Sequence, residues 1–168
     1  MNYAFHMRQL LAYTKSQSTY MPYGACIVGD DEKPRVFAIA QPENNPILHA
    51  EINAINQYAA QYPDSNWREL TLYTTAEPCP MCASACCWAG FKQVVYASNS
   101  VFLARLWKYD NPLISAANIR AAFIFDNIPN GPKLTGGICE QEANQLFIAY
   151  KNNILNFLRK HVWHKSKT

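Results

Sequence analysis

Two short segments hold residue types whose spacing could do chemistry: His49-Ala50-Glu51 and Pro78-Cys79-Pro80-Met81-Cys82. Imidazole nitrogen and thiolate sulfur suit a tetrahedral zinc shell. Cys79 and Cys82 stand three apart, so at the start of a helix both sulfurs can face one point. Unpaired N–H groups at a helix N-terminus carry partial positive charge and favour thiolate over thiol. His49 supplies a third ligand if two helix openings face each other. Three protein ligands leave a fourth position for water, which separates a catalytic zinc from a structural one. A zinc there brings the pKa of that water toward neutrality.

Glu51 follows His49 by two residues. In a continuous helix that spacing turns it about 200° away, whereas a frayed first turn lets it reach beside the metal without binding it. A carboxylate there can take a proton from water, hand it to a ring nitrogen, and then to a departing amine. Blander readings stand beside this one. A C-x-x-C pair alone also serves structural zinc half-sites and redox centres. Cys86, one turn beyond Cys82, could close a Cys₃His site, but Pro78 and Glu51 would then have no role. A redox pair leaves His49-Ala50-Glu51 unexplained, and a binding module with a structural zinc has no use for Glu51.

The flanking pattern supplies the elements that must position these residues. An opening helix is expected over about Tyr3 to Lys15, with Phe5, Leu10, Leu11 and Tyr13 as its apolar positions. Ala25–Val28 and Arg35–Ala40 read as a hairpin about Gly29-Asp30-Asp31, and Gln41–Pro46 as a loop. A helix over His49–Tyr58 would place Ile52, Ile55 and Tyr58 on one face. Leu70–Thr75 and Gln93–Ala97 read as strands. The helix between them opens at Pro80, which suits a first turn, and stops at Gly90. Val101–Trp107 is expected to be helical. Leu113–Phe125 is either helix throughout or turns to strand at Phe123-Ile124-Phe125. A short strand at Lys133–Thr135 precedes one long helix from Glu140 to about Arg159 and a basic tail with Trp163. Strands alternating with helices point to a layered α/β domain, one domain over 1–168.

Composition narrows the class. The 168 residues are 49% hydrophobic and 16% charged, which suits a folded core and excludes a disordered chain. A net charge of +3 permits a nucleic-acid partner without arguing for one. There is no run of about 18 apolar residues, so no membrane span is expected. No early segment reads as an export signal, which makes the cytoplasm the expected compartment. In a reducing compartment the six cysteines read as ligands or buried thiols before disulfides. Cys26 and Cys139 are expected to be buried thiols, and His6, His161 and His164 surface or packing residues.

The two motifs form H-x-E … P-C-x-x-C, the signature of zinc nucleobase deaminases. With Pro22-Tyr23-Gly24-Ala25-Cys26-Ile27-Val28, the run Asn45 to Ile55 and the run Leu72 to Cys82, the chain resembles the cytidine/deoxycytidylate deaminase superfamily, in its guanine deaminase and tRNA adenosine deaminase branch. The likeness runs from Met21 to about Ser98 and recovers at Thr135-Gly136-Gly137-Ile138. It implies a three-layer α/β/α sandwich around a mixed, mainly five-stranded sheet, zinc as cofactor, and a homodimer or larger homo-oligomer. It further implies that the Ala50 N–H contacts the base, that the Pro78 carbonyl receives the substrate amine, and that Tyr23 lies near the base. Departures bear on the substrate. Where the branch places a base- or ribose-binding Asn, this chain has Ala40-Gln41-Pro42, and Gln41, Asn44 or Asn45 would substitute. Trp88-Ala89 is similar to guanine deaminases, and the Gly-rich segment of the tRNA enzymes after the fourth strand is replaced by Asn99-Ser100-Val101-Phe102. The expected substrate is a small nucleobase or nucleoside, guanine first, with tRNA as the alternative.

Overall fold

Two sets of side chains alternate along the central strands and bury opposite faces of one sheet, as the two-residue period of a strand requires. The computed structural model describes residues 2–107 and 119–161, with side chains through residue 157. The strands are β1 (Gly24–Val28), β2 (Pro34–Ile39), β3 (Thr71–Ala76), β4 (Gln93–Ser98) and β5 (Lys133–Thr135). Their order is β2-β1-β3-β4-β5. The β1–β2 and β1–β3 pairs are antiparallel, and the β3–β4 and β4–β5 pairs parallel. The helices are α1 (Tyr3–Gln17), α2 (Ala50–Gln61), α3 (Pro80–Ala89), α4 (Ser100–Trp107), α5 (Ala121–Asp126), α6 (Glu140–Ala149) and α7 (Lys151–His161).

Ala25, Ile27, Leu72 and Val94 face Ala50, Ala54 and Tyr58 of α2, Ala83 and Cys86 of α3, and Ala121 and Phe125 of α5. On the other face Cys26, Val28, Tyr73 and Val95 meet Met7, Leu10 and Leu11 of α1 and Ala143 of α6. This is the expected α/β/α layering with its mixed five-stranded sheet. β1 and β3 are buried along their whole lengths, so the sheet's centre is dry. The small residues Ala50, Ala54 and Ala83 let α2 and α3 lie close on the sheet and bring their first turns together.

Several expectations need correction. On α1 the buried stripe is His6, Met7, Leu10, Leu11 and Thr14. Phe5, expected inside, is 53% exposed, and His6 is buried at 2% with its ring against Tyr73. On α2 the inner face is Ala50, Asn53, Ala54 and Tyr58, while Ile52 and Ile55 are only partly buried. Phe123-Ile124-Phe125 is helical, within α5, and 113–118 lie outside the described residues. The single helix expected from Glu140 to Arg159 is divided at Tyr150 into α6 and α7. The turn brings Ile154 and Phe157 back onto Phe147, Leu103 and Trp107, contacts a straight helix would carry away. Tyr150 is tied down there by its hydroxyl, which donates to the Ser18 carbonyl at 3.1 Å. The tail from 162 onward lies outside the described residues. Among the described residues no helix is long and apolar enough to cross a membrane.

Candidate metal centre

The first turns of α2 and α3 share one backbone design. His49 (φ −66°, ψ 162°) and Cys79 (φ −66°, ψ 166°) are both extended N-cap residues without a side-chain capping bond. Their carbonyls accept the first helical bonds, from the Asn53 and Ala83 N–H groups, while their side chains remain available to a ligand. Asn45 sets up the first of these turns. The Gln41 N–H donates to the Leu48 carbonyl at 2.9 Å and the Asn45 side chain accepts from the Ile47 N–H, which closes the loop and delivers His49 to the helix. Pro80, the first residue of α3, costs nothing there because its missing N–H would have no partner.

These turns bring three expected ligands together. His49 Nδ1 lies 3.6 Å from both Cys79 Sγ and Cys82 Sγ, and the three ligand atoms fall within 4.8 Å of one another. A tetrahedral zinc, with Zn–S about 2.3 Å and Zn–N about 2.0–2.1 Å, separates sulfur from nitrogen by about 3.6 Å. The donor set and its spacing therefore fit zinc. A hydrogen bond with Cys82 pulls the Cys79 thiol down to about 4 against the opposing effect of burial, and His49 assists. The same bond, with burial, pushes Cys82 up. The pair thus holds one thiolate readily, and a divalent cation would compensate the second. Cys86 is fully buried in the apolar layer beneath α3 and is not part of the cluster. The fourth-ligand reading therefore fails in this structure.

Glu51 is 6% exposed and outside the ligand set. Because His49 is extended and not helical, the 200° argument from continuous helical spacing does not apply, and Glu51 turns inward beneath the cluster. Its Oε1 accepts from the Thr74 hydroxyl at 3.1 Å. Burial pushes its carboxyl above the usual range and the nearby Cys79 adds to that, while His49 and Thr74 oppose it. Tyr23 stands on the strand side of the site, with its ring 5.0 Å from that of Phe147. Burial raises its hydroxyl to about 12, against a hydrogen bond with Trp107, and Glu51 and Cys79 are close enough to contribute. Ala50 and Pro78 are both buried next to ligands. Gln41 is half-buried with its backbone spent on the loop, and Asn44 is exposed. Trp88 does not join the site. It is 89% exposed, six residues past Cys82 and so about 9 Å further along α3.

The sequence reading missed Glu77, whose side chain is 1% exposed. Its two oxygens accept from Arg120 Nε at 2.7 and 2.8 Å, from the Ser100 N–H and hydroxyl at 3.0 and 2.9 Å, and from the Ala121 N–H at 3.2 Å. Burial pushes its carboxyl up, but Arg120 and Ser100 more than reverse this and hold it below the usual range. Glu77 thereby ties the end of β3, and the turn carrying Cys79, to the start of α4 and α5. A carboxylate directly before Pro-Cys was the available signal, but its partner 43 residues away was not legible. Replacing Arg120 with Ala strips the only charged partner that Glu77 has among the described residues. Stability should fall by about 1.5–3 kcal/mol, the range for hydrogen bonds to charged groups, and zinc should bind more weakly. Unchanged denaturant midpoint and zinc affinity would show that the pair does not brace the turn.

With this geometry in place the chain can be set beside known proteins. Residues 1–98 match the cytidine and deoxycytidylate deaminase zinc-binding region. The chain belongs to that family. It is 35% identical over 89 residues to a cytosine deaminase of Candida albicans, covering 49% of this chain and 56% of the relative. It is 41% identical over 90 residues to a tRNA-specific adenosine deaminase of Streptococcus pyogenes (51% and 55%) and 39% identical over 84 residues to a guanine deaminase of Bacillus subtilis (46% and 51%). The chain thus spans about half the length of the curated relatives it matches. A mutant protein crystallised with 8-azaguanine shares the fold with TM-score 0.69 at 21% identity, over 89% of this chain and 83% of that one. A tRNA:A34 deaminase does so with TM-score 0.64 at 21% identity, over 84% and 99%.

Proposed function

We propose that this family member is a hydrolytic deaminase that exchanges the exocyclic amine of a nucleobase for oxygen, consuming water and releasing ammonia. The observation that carries the reading is the pairing of a His49-Cys79-Cys82 cluster with a buried carboxylate, Glu51, that lies beside the cluster and outside it. His49, Cys79 and Cys82 would hold the zinc, which when bound supplies a Lewis acid that brings a water's pKa toward neutrality. Glu51 takes a proton from the attacking water and passes it to the ring nitrogen next to the amine-bearing carbon, then takes the proton of the new hydroxyl and gives it to the amine, so that the carbonyl forms as ammonia leaves. The raised pKa of its buried carboxyl suits a group that must hold a proton between those transfers. The Ala50 N–H and Pro78 carbonyl hold the base edge, Tyr23 lies near its face, and Gln41 or Asn44 takes the place of the missing Asn. The protein acts in the cytoplasm as a single-domain subunit of a homodimer.

Guanine is the proposed substrate. The guanine deaminase relative and the structural neighbour with 8-azaguanine support it, although the exposure of Trp88 removes one of its sequence arguments. The higher identity to a tRNA-specific relative keeps the wobble adenosine of tRNA as the second reading. Purified protein should release ammonia from free guanine, with little dependence on salt between about 50 and 200 mM. A phosphate-gripping RNA site would instead lose roughly 10³-fold in affinity over that range. Activity confined to an anticodon stem-loop with that salt response would replace guanine with tRNA.

A further inference from the structure

β3 is a central strand, paired on both sides and buried on both faces, where a run of apolar side chains is the expected solution. Two adjacent residues near its end are threonines instead. A buried hydroxyl costs free energy unless it finds a partner, so each must be accounted for by what it touches. Thr75 points to the α1 face. Its hydroxyl donates to the Pro22 carbonyl at 2.9 Å and accepts from the Gly24 N–H at 3.0 Å, which fixes the start of β1 where it leaves Tyr23. Thr74 points the other way, with Leu72, toward α2. It is 2% exposed, and its hydroxyl donates to Glu51 Oε1. The sheet gains nothing from a hydroxyl at that position, because an apolar β-branched residue would fill the same volume.

We infer that Thr74 is a positioning residue for the reaction proposed above: its hydroxyl fixes the Glu51 carboxylate on one oxygen so that the other faces the reacting water and base. A glutamate side chain has three rotatable bonds, and an untethered carboxylate spends part of its time in arrangements that cannot transfer a proton. Misplacement by about 1 Å can lower a rate by about 10²-fold. The tether comes from β3, a buried strand paired on both sides, while Glu51 itself rides on the first turn of α2. The inference rests on the deaminase reading, in which Glu51 carries the proton.

The test compares Thr74→Val, which keeps the shape and removes the hydroxyl, with Thr74→Ser, which keeps the hydroxyl. The probes are guanine, cytosine and an anticodon stem-loop with adenosine at its wobble position, taking whichever the wild type turns over fastest. Thr74→Val should hold one zinc per chain with KM unchanged and kcat lowered roughly 10- to 100-fold, the range for a hydrogen bond to a charged group. Thr74→Ser should stay within about threefold of wild type. A Thr74→Val kcat equal to wild type overturns the inference. If Thr74→Val fails to retain zinc, Thr74→Ser decides: near wild-type kcat supports the tether, and a tenfold loss with the hydroxyl present overturns it. Glu51→Gln measured in parallel separates the two levels. If Glu51→Gln is slow and Thr74→Val is fast, this inference alone fails. If Glu51→Gln is as fast as wild type, or no probe is turned over, the deaminase reading fails and the inference with it.

Discussion

Glu51→Gln should retain a full complement of zinc and lose at least about 10²-fold in turnover, the lower bound of the range for removing a general acid–base group. Gln keeps the length of the side chain and a carbonyl oxygen that can still accept from Thr74. It cannot take up and release a proton. Because Glu51 lies outside the ligand cluster, metal content should not follow activity down. Glu51→Ala is the less informative variant, since it leaves a void at a 6% exposed position and removes the partner of the Thr74 hydroxyl. Elemental analysis and ammonia release on the same preparation separate the possibilities. Joint loss of zinc and turnover would mean that Glu51 supports the metal, and undiminished turnover would mean that the proton travels by another route.

The candidate His49-Cys79-Cys82 cluster was legible in the sequence because the geometry that gathers it is local. Cys79 and Cys82 share one helical turn, Pro80 announces the start of that turn, and His49 opens the other helix. The order of strands and helices was legible for the same reason, since turn residues and periodicity act over a few positions. What was lost depends on contacts between distant segments. Whether α1 buries Phe5 or His6 is settled by Tyr73, far along the chain on β3. The break at Tyr150 exists because Ile154 and Phe157 must reach Leu103 and Trp107. The partnership of Glu77 with Arg120 joins segments that share no periodicity. Glu51 shows both sides: residue type and neighbours marked it as a candidate, and a frayed first turn was one of two directions open to it, but only the extended backbone at His49 decides between them.

Replacing Cys82 with Ala should abolish turnover and release the zinc, whereas Cys86→Ala, one turn further along the same helix, should keep both. The contrast follows from where the two sulfurs stand. Cys82 Sγ is 3.6 Å from His49 Nδ1, and Cys86 is packed among Ala83, Phe91 and the sheet. Removing one of three protein ligands leaves His49 and Cys79, too few to hold zinc against water. Cys86→Ala removes one small buried group and should cost a modest amount of stability without touching the metal. Chelation of the wild type should reproduce the Cys82→Ala behaviour reversibly: turnover falls to background and returns when zinc is restored. Because zinc binds the folded chain, adding it back should also raise the unfolding temperature, by an amount that grows with free zinc as linkage requires. Metal loss on Cys86→Ala equal to that on Cys82→Ala would identify a closed, four-ligand structural centre. The acid–base assignment of Glu51 would then have no open metal position to serve.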